Sequence, residues 1–179
     1  MEAPRLSSRG ESMRVASFFS SATELLYALG LGRSVIARSE HCDYPAGVVR
    51  KPIVVRSRIR SERLSSRGIH EAVQQLRSQR EHGYVIDVPL LTRLKPDLVI
   101  TQQLCNVCAA SHPEVSEAIR QLPRGPRMLS LSGRNLTEWL EAVRVLGKEI
   151  GRERQAKTLI RRVHREIEAT EHRLAGISR

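Results

Sequence analysis

The sequence predicts an α/β lobe: a central, mostly parallel sheet flanked by helices, followed by one long C-terminal helix. Three observations predict it. Short apolar runs of β character alternate with stretches of helical periodicity from about residue 14 to residue 150, the pattern of a parallel sheet joined by right-handed crossovers. Two of those runs lead into polar loops that carry cysteine, Glu40-His41-Cys42-Asp43-Tyr44-Pro45 and Thr101-Gln102-Gln103-Leu104-Cys105-Asn106-Val107-Cys108. Finally, Ala156, Leu159, Ile160, Val163, Ile167 and Leu174 keep helical spacing through the last stretch, with Arg and Glu on the other faces.

Residues 1–13 are polar and read as a disordered extension. Arg5-Leu6-Ser7-Ser8-Arg9-Gly10 recurs as Arg63-Leu64-Ser65-Ser66-Arg67-Gly68, and both copies read as glycine-ended loops. The first strand is expected over Arg14–Phe18. A helix follows from about Ala22 to Leu29. Ser21-Ala22-Thr23-Glu24 fits a capping box at its start, and Gly30 stops it. Ser34–Arg38 is the second strand, and Lys51–Val55 reads as another. Ile69, Val73 and Leu76 give helical spacing within a helix over His70–Arg80. Tyr84–Ile86 is a short strand, and Val88–Leu94 a short helix that ends before Pro96. Asp97–Thr101 is apolar enough for a strand buried on both faces. Pro113 suits the first turn of a helix over Glu114–Leu122. Arg127–Leu131 is the last strand, and Asn135-Leu136-Thr137-Glu138 opens a helix that runs to about Ile150. The domain reading is thus an extension over 1–13, a single Rossmann-like lobe over 14–151, and a long helix with its tail over 152–179.

Composition narrows the function classes. With 40% hydrophobic and 27% charged residues, the 179-residue chain reads as a globular domain with a substantial core. No apolar run approaches the roughly 20 residues of a membrane-spanning helix. Residues 1–13 lack the apolar core of a secretory signal, so the chain as written reads as cytoplasmic. The net charge of +11 invites a nucleic-acid partner. Yet the basic residues are spread along the chain, and aromatics are only 3%. Lysine stands only at Lys51, Lys95, Lys148 and Lys157, so 26 of the 30 basic residues are arginine, a compositional bias rather than a patch. No nucleic-acid partner is expected.

Ligands of open parallel sheets sit beyond the carboxyl ends of the strands. Both cysteine loops leave such ends, so together they suggest one binding site. Ser20, Ser21, Ala22 and Thr23 open the first helix after the first strand, where main-chain amides and hydroxyls favour an anionic or amide group. Asp43 and Tyr44 add a carboxylate and a flat aromatic face with a polar tip. The second loop offers Gln102, Gln103 and Leu104. Three cysteines cannot all pair within one chain. Cys105-x-x-Cys108 is half of a structural zinc site, which His41 and Cys42 could complete through space. A metal-binding or thiol redox module using Cys42, Cys105 and Cys108 is therefore the alternative function. The sequence holds no GxSxG, P-loop, GxGxxG or HExxH, and no convincing acid/base pair. His70, His82, His164 and His172 read as solvated. No catalytic residue and no intrinsic cofactor is assigned, and the chain reads as a binder rather than an enzyme.

Taken in order, Arg14-Val15-Ala16-Ser17 with Ser21-Ala22-Thr23-Glu24-Leu25-Leu26-Tyr27-Ala28-Leu29-Gly30, then Cys42-Asp43-Tyr44-Pro45, Leu94-Lys95-Pro96-Asp97-Leu98-Val99-Ile100-Thr101-Gln102 and Leu104-Cys105-x-Val107-Cys108-Ala109, make a further pattern. It resembles the substrate-binding proteins of ABC importers for vitamin B12 and iron-siderophore complexes, the cobalamin-binding branch above all. The resemblance implies two α/β lobes joined by one rigid helix, with ligand between them. This sequence would supply the N-terminal lobe and, over 152–174, the connecting helix, with the second lobe outside it. The implied cargo is cobalamin or an iron chelate, and the implied contacts are Ser20–Thr23, Asp43, Tyr44 and Gln102–Cys105, with Tyr44 stacked on the corrin. An ABC permease is the implied partner, and the implied location is periplasmic or extracytoplasmic. Family members dock the permease through a glutamate, and the corresponding segment here reads Asp87-Val88-Pro89. One lobe covers one side of a ligand, so weak or no independent binding is expected. The apolar stripe of the last helix calls for a cover: its own domain, a second lobe or self-association.

Overall fold

The computed structural model describes residues 13–79, 81–102 and 112–175. Among these residues six strands form one sheet in the order β4-β3-β2-β1-β5-β6. They are β1 (Val15–Ser17), β2 (Val35–Ser39), β3 (Ile53–Ser57), β4 (Tyr84–Ile86), β5 (Leu98–Gln102) and β6 (Arg127–Leu131). All neighbours pair in parallel except β3 and β4. The helices are α1 (Ser20–Ala28), α2 (Ser66–Ser78), α3 (Val88–Leu94), α4 (His112–Arg120), α5 (Leu136–Glu149) and α6 (Glu153–Leu174). The predicted α/β lobe with its mostly parallel sheet is the observed architecture.

Strand periodicity divides the core between the two faces of the sheet. Leu98 and Ile100 of β5 join Leu26 of α1, Leu140 and Leu146 of α5, and Ile160 of α6. Val99, between them, faces the other way and packs with Phe18, Val54, Leu91 of α3 and Val115 of α4. Side chains of a strand alternate between faces, so β5 is buried on both, as its run of apolar residues predicts. Each such buried Leu or Ile contributes about 1.5–3 kcal/mol.

Four local expectations need correction. Helix α1 begins at Ser20, capped at Phe19 with no side-chain bond, so the Ser21–Glu24 capping box does not form. The chain enters the helix straight from β1, which places Ser21 inside the first turn. Helix α2 begins at Ser66 rather than His70, because Ser65 Oγ accepts from Gly68 N at 3.2 Å and caps it. The second copy of the repeat is therefore a helix start and not a loop, whereas the first copy lies outside the described residues. Helix α4 runs over His112–Arg120, two residues earlier than predicted. His82 is not simply solvated, since its Nδ1 lies 3.2 Å from Oε1 of the buried Glu114.

The Asn135–Glu138 signal opens α5 as expected. Asn135 Oδ1 accepts from Glu138 N at 2.9 Å, while Glu138 Oε2 reaches back to Arg134 N at 2.8 Å. This reciprocal cap fixes the start of α5. Asp87 Oδ1 accepts from Leu90 N at 2.8 Å and caps α3, and Lys95 ends that helix in the left-handed conformation, φ 46°. Between α5 and α6 the chain reverses at Gly151, φ 66°, a conformation that favours glycine. The reversal lays the first half of α6 on α5.

Candidate functional site

Strand β1 lies between β2 and β5. From β1 the chain moves to one side through β2 and β3, then returns to the other side through β5 and β6. The carboxyl ends of β1 and β5 therefore flank a topological switch point, where open α/β sheets bind ligands. Ser17 stands in register with Arg38 of β2 and Ile100 of β5, and Phe18 N donates to Ile100 O at 3.0 Å. The turn at Ser20-Ser21, the loop after β2 and the end of β5 at Gln102 thus leave the same edge of the sheet.

Hydrogen bonds tie these turns together. Ser20 Oγ donates to the main-chain oxygen of His41 at 2.6 Å, which locks the first turn against the second. Below that link the polar residues face inward. Thr23 Oγ1 donates to Ser17 Oγ at 2.8 Å, and both residues are buried, as is Ala22. Cys42 is fully buried as well, its Sγ 4.0 Å from Ser17 O. Burial pushes its thiol pKa up, against smaller opposing contributions from Thr23, Ser39, Arg38 and Ser20.

The open surface of the rim is narrower than the predicted residue set. Ser20 is half-buried, Ser21 and Asp43 are exposed, and Gln102 is half-buried. Tyr44 is 65% exposed. Of the predicted contacts, Ala22 and Thr23 are under the rim and not on it. Gln103, Leu104, Cys105 and Cys108 lie outside the described residues. Of the predicted metal set, Cys42 is buried and His41 exposed. Among the described residues, no group of three or more His, Cys, Asp or Glu side chains is placed to hold a metal ion. Asp87, at the predicted permease-docking segment, is engaged as the cap of α3.

Sequence reasoning missed Arg38. It is only 7% exposed, yet it pairs with no carboxylate among the described residues. It donates instead to main-chain oxygens of Lys51, Ser39, Glu40, Cys42 and Val49, at 3.1–3.3 Å. The guanidinium fork is thereby the internal frame of the loop that presents Asp43 and Tyr44. A polar residue ending an apolar strand gave no sign of this role. A second missed group lies where β3 meets β4. His41 and Tyr84 meet edge to face with ring centroids 6.3 Å apart. Glu40 Oε1 accepts from Ser57 N. Burial raises the Tyr84 pKa, with Glu114 and then Glu40 adding to it.

Tyr44 and Pro45 also border a groove of about 640 Å³ between α1, α5 and α6, lined by Glu24, Leu25, Trp139 and Val163 among others.

An open α/β lobe whose strand-end loops converge beside the switch point has the architecture of a ligand-binding lobe. The comparisons agree. Residues 15–179 match the family described as periplasmic binding protein, and this chain belongs to it. No curated protein sequence matches the chain. Solved structures do. The periplasmic vitamin B12 binding protein BtuF of Vibrio cholerae is 20% identical with a TM-score of 0.63, over 92% of this chain and 52% of that one. A possible iron-binding periplasmic solute-binding protein from Staphylococcus epidermidis is 18% identical with a TM-score of 0.67, over 93% and 53%. The periplasmic heme-binding protein RhuT from Roseiflexus sp. RS-1 is 22% identical with a TM-score of 0.63, over 94% and 52%. These likenesses establish the fold, and the chain spans about half the length of each.

Proposed function

We propose that this chain is the N-terminal ligand-capture lobe of an extracytoplasmic substrate-binding protein that serves an ABC importer. Residues 14–151 form the lobe and residues 152–179 the connecting helix and its tail. The cargo is a bulky metal-centred molecule, cobalamin or a related corrinoid or iron chelate. The role is capture and not catalysis.

The exposed Tyr44 carries this reading. An aromatic ring left 65% open to water, on a loop held from within by Arg38, is poised to stack on a flat ligand. Ser20, Ser21 and Gln102 stand on the same edge and offer polar contacts, and Asp43 adds a carboxylate beside the ring. The structural neighbours, one a vitamin B12 binder and one a heme binder, support a large metal-centred cargo. The cytoplasmic location expected from the first 13 residues has no support among them. The raised pKa of the buried Cys42 thiol weighs against the metal or redox alternative, which calls for an accessible, acidified thiol.

A ligand site buries most of its ligand, and one lobe covers one side. The lobe alone therefore binds weakly. The test is amide NMR of the 179-residue chain titrated with cobalamin, hemin and a ferric chelate. Shifts confined to Ser20, Ser21, Tyr44 and Gln102, saturating well above micromolar ligand, are expected for one of them. Shifts centred elsewhere, or none with any of the three, overturn the site. Submicromolar binding overturns the half-cleft.

A further inference from the structure

The sequence holds two Phe, three Tyr and one Trp. Phe18, Phe19 and Tyr84 belong to the two cores. The other three, Tyr27, Tyr44 and Trp139, all line the groove of about 640 Å³ between α1, α5 and α6. That volume falls among small-ligand sites, roughly 300–1,000 Å³. Charge is sorted as sharply as the rings. The chain carries 30 Lys and Arg and a net charge of +11. Yet among the described residues that line the groove none is Lys, Arg or His, and Glu24 is the one acidic side chain.

Local structure brings these groups together. Ser21, Glu24 and Ala28 share one face of α1, at steps of three and four. Leu136, Trp139, Leu140 and Val143 do the same on α5. Two glycines make room for Tyr27: a Cβ at Gly32 would lie 2.6 Å from its ring, and one at Gly47 3.4 Å. Tyr44 stands on the loop framed by Arg38. Helix α6 contributes Leu159, Ile160 and Val163, from the half that packs on the core. The lining thus runs from Ser21 to Val163 and leaves out the distal half of α6.

Aromatic faces are electron-rich and attract cations, most strongly where water is excluded. An alkylammonium ion needs apolar surface around its charge, a ring face and a counter-charge. The groove offers all three. An anion would meet Glu24 and no cation there.

The geometry points to a second binding site in this groove, for a small organic cation of the quaternary-ammonium class. Glu24 supplies the counter-charge, and Tyr27, Tyr44 and Trp139 supply the aromatic walls. The inference does not rest on the cargo reading, because Glu24, Tyr27 and Trp139 take no part in the strand-end rim.

Trp139 is the sole tryptophan, so its emission reports on the groove directly. The 179-residue chain is titrated with choline chloride, with sodium chloride at equal ionic strength as the reference. Choline is expected to change the emission and to saturate between about 0.1 and 10 mM, as a weak small-ligand site does. Its neutral carbon isostere is expected to bind about tenfold more weakly, since the rings and Glu24 then meet no charge. Glu24→Gln is expected to weaken choline about threefold and Glu24→Lys about tenfold. Glu24 is exposed on α1, and circular dichroism verifies that both variants stay folded. An emission that choline changes no more than sodium chloride does overturns the site. So does equal affinity for the neutral isostere, or choline binding that Glu24→Lys leaves unchanged.

Discussion

Arg38 and Cys42 are joined by a 3.1 Å hydrogen bond from Nη1 of the guanidinium to the main-chain oxygen of the cysteine. The bond links the end of β2 to the loop three residues before Pro45, and four more from the same side chain close the ring around it. The loop's polar main chain is thus satisfied from inside, and its side chains are left to face outward.

Replacing Arg38 by Ala leaves these carbonyl oxygens without their donor. Buried acceptors that lose a charged partner cost about 1–3 kcal/mol, more in a network. Arg38→Ala is expected to lower stability by about 3 kcal/mol, read as the shift of the urea midpoint at unchanged slope. Arg38→Lys should recover little, because an ammonium cannot reach carbonyls on two sides at once. A midpoint unchanged within error in Arg38→Ala would show that water replaces the fork.

Tyr44 predicts the opposite pattern. Its ring is mostly in water, so Tyr44→Ala is expected to move stability by no more than about 0.5 kcal/mol. Ligand-induced amide shifts at Ser20, Ser21 and Gln102 should weaken about tenfold or vanish, as expected for a removed aromatic anchor. Tyr44→Phe should retain them if stacking, rather than the phenol, makes the contact.

The alkaline pH dependence follows from three raised groups, Cys42, Tyr84 and, through burial as well, Tyr27. Each holds its proton longer in the folded protein than in the unfolded chain. Below the ordinary thiol and phenol ranges both states are protonated, and these groups add no pH dependence. As pH rises through those ranges the unfolded chain ionises first, and stability falls. Urea midpoints are expected to decline from about pH 8.5 upward, where a free thiol titrates. The decline should be shallower in Cys42→Ala and Tyr84→Phe than in the parent. Equal slopes in all three proteins would remove Cys42 and Tyr84 as its cause.

Helices α5 and α6 approach closely at Gly147. A Cβ built there would lie 2.5 Å from Cβ of Ala156. Alanine is the better helix former by about 1 kcal/mol, so an open site would gain stability. Here overpacking of about 1–3 kcal/mol should prevail. Gly147→Ala is expected to lower the thermal midpoint by a few degrees. A rise would mean that α6 shifts without cost.

Much of the fold was legible because strand and helix periodicities are local. The apolar run Leu98–Ile100, the Asn135–Glu138 cap and the long α6 stripe each declare themselves within a few turns of chain. The α2 start was less so, because Ser65-Ser66-Arg67-Gly68 reads equally as a loop until Ser65 is seen to cap. At the site, the sequence identified Ser20, Ser21, Asp43, Tyr44 and Gln102 as strand-end residues. It did not separate them from Ala22, Thr23 and Cys42, their neighbours in the chain, which face the interior. Nor did it reveal Arg38, whose acceptors are main-chain oxygens and carry no residue identity.

By itself, then, the sequence determined the alternation of strands and helices, the loops at their ends and the apolar stripe on α6. Those follow from side-chain volume, polarity and spacing, which act between near neighbours. Tertiary structure alone decided which strands lie side by side and which loop residues turn inward. These depend on contacts between residues 20–80 positions apart, such as Ser20 with His41 and Arg14 with Leu94, whose formation depends on the whole chain's packing.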